Sequence, residues 1–336
     1  MIAPLLVAPL VPLLVPFAVP PLARRAVARL TPAAALWCLT ATTVVLAVCS
    51  LAALGTLTLY GLLALPPFAS FGELIHPLGA APGLFPLAAA ATGALAVCAW
   101  ALPRSALRQL GEYHEAKETA DAQPTAGDLC VIDSPDPDAY ALPGTPGRIV
   151  VTTSMLRSLS PAEREALFAH ERAHLSARHH YHLAAVGLAA HCHPGLRPAG
   201  AAVRLAAERA ADEAAAAAIG DRQLTARAIG RAALATRAAR ADRRRPTVAP
   251  AATSGPVPQR VAALLRPPLP GVRGRGIPRR WPRACSSRSP PASRSPERGP
   301  ERSPSTRTSR SPKGSDRAGE PECPQPPGTA ARAWAP

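Results

Sequence analysis

Between Arg29 and Arg104 the only formally charged residue is Glu73. A soluble domain needs polar cover for its surface, so a stretch this long and this poor in charge belongs in lipid. That constraint makes residues 1–103 of the 336-residue chain a membrane domain. A bilayer core of ~30 Å takes roughly 20 apolar residues in a helix. Three segments qualify as transmembrane helices, at about 2–22, 34–65 and 84–102. The first carries Pro4, Pro9, Pro12, Pro16, Pro20 and Pro21, which remove backbone donors and kink a helix. A cleaved signal peptide would place positive charge before its apolar core, whereas Arg24, Arg25 and Arg29 follow it. Those arginines, none in the 66–81 loop, and Arg104, Arg108 and Lys117 after the third segment set orientation by the positive-inside rule. The expectation is a multi-pass protein of the cell membrane, its N-terminus outside and the residues after 103 in the cytoplasm.

A net charge of +16 suggests nucleic acid until its position is considered. Residues 271–336 hold 14 Lys and Arg against 5 Asp and Glu, so nine of the sixteen charges sit in this tail. From residue 267 to 336 the chain is Arg, Ser, Pro and Gly without hydrophobic periodicity, a composition that predicts disorder. Of the seven cysteines, none forms a C-x-x-C pair, so neither a disulfide framework nor a thiolate zinc cluster is legible.

Residues 104–266 have the composition of a folded domain. Leu129–Asp133 and Arg148–Thr153 read as short strands, being rich in β-branched residues and separated by turn formers. A helix then starts at Ser160-Pro161-Ala162-Glu163, which supplies an N-cap serine, a first-turn proline and a capping-box glutamate. Ala-rich helices follow at about 199–219 and 222–240, broken at Gly220-Asp221.

The first of these helices carries His170-Glu171-Arg172-Ala173-His174. Histidines four residues apart share a helix face and can grip one metal ion, while the glutamate beside the first can take a proton from water. This is the H-E-x-x-H arrangement of zinc-dependent peptide hydrolysis, with Glu171 as general base. A catalytic zinc takes three protein ligands. Glu208 is one candidate for the third, and Asp212, one turn later, can hold a ligating histidine in the right tautomer. His180 is the rival, ten residues after His170. Against it, the H-E-x-x-H-x-x-G-x-x-H pattern needs glycine where this chain has Ala177, and a downstream Met-turn, whereas the only methionines are Met1 and Met155. His179, His180, His182, His191 and His193 read as surface or cleft residues.

The runs Asp138–Gly144, Gly147–Thr153, Ala169–His174 and Glu208–Glu213 resemble the integral membrane zinc metallopeptidases of the BlaR/MecR antirepressor type. They are also similar to the related HtpX/Ste24-type peptidases. The resemblance covers about residues 1–266. It implies a mostly α fold, with transmembrane helices followed by a zincin-like (gluzincin) α+β domain bearing a small edge sheet. It implies one Zn2+ per chain on His170, His174 and Glu208, with Glu171 as base. It further implies that the strand Ile149–Thr153 lies beside the cleft and pairs with an extended protein or peptide substrate. Many relatives of the BlaR/MecR group cut a cytoplasmic transcriptional repressor. No penicillin-binding sensor domain is legible, so β-lactam sensing is not implied. Pro256–Leu265 resembles the approach to a further span, but no apolar segment of ~20 residues follows.

The competing class is a non-catalytic membrane scaffold whose basic tail binds nucleic acid or anionic lipid. Its support is charge alone. Before the extreme end, Trp281 is the one aromatic among the tail arginines, a poor supply for base stacking.

Overall fold

The computed structural model of the protein describes residues 9–68, 84–243 and 256–267. The expected disorder of 267–336 lies outside the described residues, Pro267 excepted.

Helix α1 (Pro9–Arg29) is interrupted by a 3-10 turn at Val15–Ala18, where Pro16 and Pro20 withhold two donors of the ladder. It runs past residue 22 and keeps Arg24, Arg25 and Arg29 helical. Helix α2 (Pro32–Leu63) starts where Thr31 accepts from the Ala34 amide at 3.4 Å and Pro32 takes the first position. Helix α3 (Leu84–Asp121) does not end near residue 102 but continues through Pro103 for 38 residues. At 1.5 Å per residue its 38 residues measure about 57 Å, far more than a ~30 Å apolar layer requires, and its polar half packs against the sheet. All three helices are long and apolar enough to cross a membrane. Outward-facing Trp37, Val45, Val48, Val97 and Trp100 give them apolar outer surfaces.

The sheet comprises β1 (Thr125–Ala126), β2 (Leu129–Ile132), β3 (Ala139–Leu142) and β4 (Arg148–Thr152), in the order β1-β2-β4-β3. Two of these strands match the sequence expectation within a residue. β1 and β3 were not expected as strands: β1 has two residues, and β3, Ala-Tyr-Ala-Leu, has no β-branched residue to mark it. β4 runs parallel to β2 and antiparallel to β3, with Val150 opposite Cys130 on one side and Tyr140 on the other. Ile149, Val150 and Val151 are fully buried. The expected substrate-pairing role for Ile149–Thr153 is therefore corrected. β4 is an interior strand whose backbone groups are taken on both sides, and the edge beside the helices belongs to β3.

Thr152 caps the short helix α4 (Thr153–Ser158) by accepting from the Met155 amide at 3.2 Å. Helix α5 (Pro161–Ser176) begins with the expected capping box: Ser160 N donates to Glu163 Oε2 at 2.9 Å, and Glu163 N to the Ser160 hydroxyl. Arg172 forks Asp128 at 2.7 and 3.1 Å, fixing α5 against the start of β2. Leu167 and Phe168 pack on Ile149, Val151 and Met155.

Arg178, at φ 52°, turns the chain into α6 (His179–Cys192). Helix α7 (Ala199–Ile219) ends at Gly220, whose φ of 80° is the left-handed cap glycine adopts without strain. Helices α8 (Arg222–Arg243) and α9 (Pro256–Leu264) follow. One apolar core joins α1 and α2 to α6 and α7, through Val19, Leu36 and Leu39 against Val186, Leu196 and Val203. The helices expected in lipid and those carrying the histidines thus share packing.

Candidate metal centre

His170 and His174 lie on the face of α5 that meets α7, from which Glu208 and Asp212 project back. The two Nε2 atoms stand 3.1 Å apart. Glu208 faces both, Oε2 at 3.5 Å from His170 Nε2 and Oε1 at 3.7 Å from His174 Nε2. One donor atom from each of these three residues lies within 4.8 Å of the others. The other ring nitrogens point away from this focus. Buried His170 Nδ1 is 3.0 Å from Asp212 Oδ1 but, among the described residues, has no aligned hydrogen-bond partner. His174 Nδ1 meets His179 Nδ1 at 2.9 Å. Two imidazoles thus turn the same nitrogen toward one carboxylate while Asp212 and His179 stand behind them, a His2Glu donor set of the kind a catalytic zinc takes.

The electrostatics follow from crowding. Burial pulls His170 down, but the Asp212 carboxylate 3.0 Å from its Nδ1 and the Glu208 carboxylate 3.5 Å from its Nε2 outweigh it and lift the imidazole to about 10. Burial and then the adjacent His170 charge push His174 down to about 3, so the positive charge sits on His170 and His174 stays neutral. Burial would raise Glu208, but its hydrogen bond to His170 and the charge of Arg260 hold it well below the usual carboxylate range. Glu171, buried beside His170, is driven by desolvation up to about 7, with His170 opposing. A carboxylate there is poised for proton transfer near neutrality.

His180 does not join the cluster. Its ring lies against Tyr181, with centroids 4.1 Å apart. Where the rival pattern has its glycine this chain has Ala177, and the turn before α6 is made instead by Arg178 in the left-handed conformation. The reading of its neighbours as surface or cleft residues is corrected for three of them. His179 is buried and backs His174; burial lowers it to about 4, leaving a neutral ring able to accept. His182 is buried where α6 meets α2, its Nδ1 3.1 Å from Thr40 Oγ1 and its ring edge-on to Trp37. Buried His193 accepts from the Gly195 amide at 3.1 Å.

Residues 107–201 match the model of peptidase family M48. The matched segment runs from the polar half of α3 through the sheet to the start of α7. It contains His170, Glu171 and His174, and supports a metallopeptidase domain in a chain with three candidate membrane helices. It covers less than a third of the chain and ends before Glu208, Asp212 and Arg260. Nor does it single out the BlaR/MecR type. Comparison with curated proteins and with solved structures gives no match.

Arg260 is the residue sequence reasoning missed. It enters from α9 and touches Asp212, Glu208 and His170. Its one sequence signal was a lone arginine in an otherwise uncharged segment, Pro256–Leu265.

Proposed function

We propose that this chain is a membrane-embedded zinc endopeptidase in which His170, His174 and Glu208 hold one Zn2+ and Glu171 is the general base. The observation that carries this reading is the convergence of both Nε2 atoms on the Glu208 carboxylate, with an acid-base carboxylate buried next to them. When bound, zinc supplies Lewis acidity for the scissile carbonyl and for the attacking water.

The chain's own groups do the rest. Asp212 stands 3.0 Å behind His170 Nδ1 and His179 Nδ1 2.9 Å behind His174 Nδ1, positions that favour leaving both Nε2 atoms to the focus. Glu171 takes the proton of the attacking water and returns it to the leaving amine. Among the described residues no further strand pairs with β3. The Thr152 amide bonds Asp138 O, and by antiparallel alternation Tyr140 and Leu142 also bond β4. The amide and carbonyl of Ala141 then face outward, available to an extended peptide.

The substrate is accordingly a protein segment that can be drawn out as a strand at the membrane surface. The arginine distribution puts the centre on the cytoplasmic side, and the BlaR/MecR resemblance makes a cytoplasmic transcriptional repressor the first partner to try.

The test uses the full chain in detergent, measuring zinc content and casein cleavage. One zinc per chain and chelator-sensitive cleavage are expected. Glu208→Ala loses both, while His180→Ala keeps both. Normal zinc uptake by Glu208→Ala together with loss in His180→Ala would overturn the ligand assignment.

A further inference from the structure

The side chain of Arg260 is only 11% exposed, and arginine is rarely buried without partners. Nε donates to Asp212 Oδ2 at 2.8 Å and Nη2 to Asp212 Oδ1 at 2.7 Å, a two-pronged fork. Nη1 lies 2.8 Å from Glu208 Oε2, and Nη2 is 3.5 Å from His170 Nε2. One side chain therefore grips the carboxylate behind His170 and the carboxylate that faces both imidazoles.

Charge gives this arrangement a purpose. Glu171, Glu208 and Asp212 place three carboxylates around two imidazoles. A divalent cation offsets two of those charges, and Arg260 supplies the third. Removing it leaves one buried negative charge without a partner, which disfavours the arrangement of carboxylates seen here.

Docking of α9 does not depend on this contact. Leu264 is buried against Ala216 and Ala226, and Arg222 donates to Leu264 O at 3.0 Å and Ala263 O at 3.3 Å. The helix thus has its own anchor at the far end, and Arg260 is free to serve the centre.

We infer that Arg260 is a positioning residue of the metal centre, locking Asp212 behind His170 and keeping Glu208 turned toward the two imidazoles. α9 thereby contributes to metal affinity from outside the segment that matches peptidase family M48. The inference rests on the zinc reading above.

The experiment measures zinc affinity of the full chain by chelator competition, and the visible spectrum of the Co2+-substituted protein, for wild type, Arg260→Ala and Arg260→Lys. Loss of a partner behind the ligands costs roughly 10–100-fold in metal affinity, so Arg260→Ala should weaken zinc by that factor and alter the Co2+ bands. Arg260→Lys keeps the charge without the fork and should recover only part of the affinity, with bands still altered. Zinc binding as tight as wild type, or tighter, in a folded Arg260→Ala protein with unchanged Co2+ bands overturns the inference. Should Arg260→Ala not fold, Arg260→Lys decides by the same criteria. Wild-type protein that takes up no zinc removes the metal reading and this inference together. Zinc on wild type with an indifferent Arg260→Ala removes the inference alone.

Discussion

Glu171→Gln separates chemistry from metal binding. The amide has the size of the carboxyl it replaces, so the buried site beside His170 keeps its packing. Glu171 is not among the donors that converge on the focus, so zinc content should stay at the wild-type level. The substitution removes a base that desolvation raises to about 7. General-base catalysis is worth about 10²–10⁴ in rate, so kcat should fall by that factor, about 2.7–5.4 kcal/mol of barrier at 1.36 kcal/mol per tenfold. The pH dependence has a definite sign. The base works deprotonated, so cleavage rises with pH on a limb placed at or below about 7, a cation at the histidines moving it lower. The assay is steady-state cleavage of a quenched fluorescent peptide from pH 5 to 9, alongside zinc analysis of the same preparation. Glu171→Gln cleaving within tenfold of wild type, or losing its zinc, would refute the assignment of the base.

Three further outcomes are expected. His179→Ala removes the group 2.9 Å behind His174 and should weaken zinc by roughly 10–100-fold in chelator competition; an unchanged constant would mean His174 is held by packing alone. Ala141→Pro deletes the outward amide of the edge strand without touching its bonds to β4, so KM for a peptide should rise while zinc content holds; unchanged KM would place the substrate elsewhere. A Cβ at Gly61 would sit 2.3 Å from the Cβ of Ala88, forcing α2 and α3 apart. Gly61→Ala should therefore cost about 1–3 kcal/mol in thermal unfolding in detergent, whereas Gly55→Ala, with nothing within 4 Å, should not; equal melting of the two would show that the helices do not meet there.

What the chain determined by itself was local. The apolar runs of α2 and α3, the capping box at Ser160 and the i, i+4 spacing of His170 and His174 each need only a few neighbouring residues and the helical period to be read. Even Glu208 and Asp212 could be nominated, because their own spacing puts them on one face. Tertiary structure decided the pairings that have no period. It extended α3 past Pro103, because the polar half packs Ala116 and Ala120 against Cys130 and Val150 of the sheet. It made β4 interior and β3 the edge, a matter of strand order that alternation along a strand cannot encode. It set His179, not His180, behind His174, because the left-handed Arg178 fixes the phase in which α6 starts. And it brought Arg260 back over 48 residues to fork Asp212. A buried charge finds its partner through the fold, and nothing in the residues beside either one announces the other.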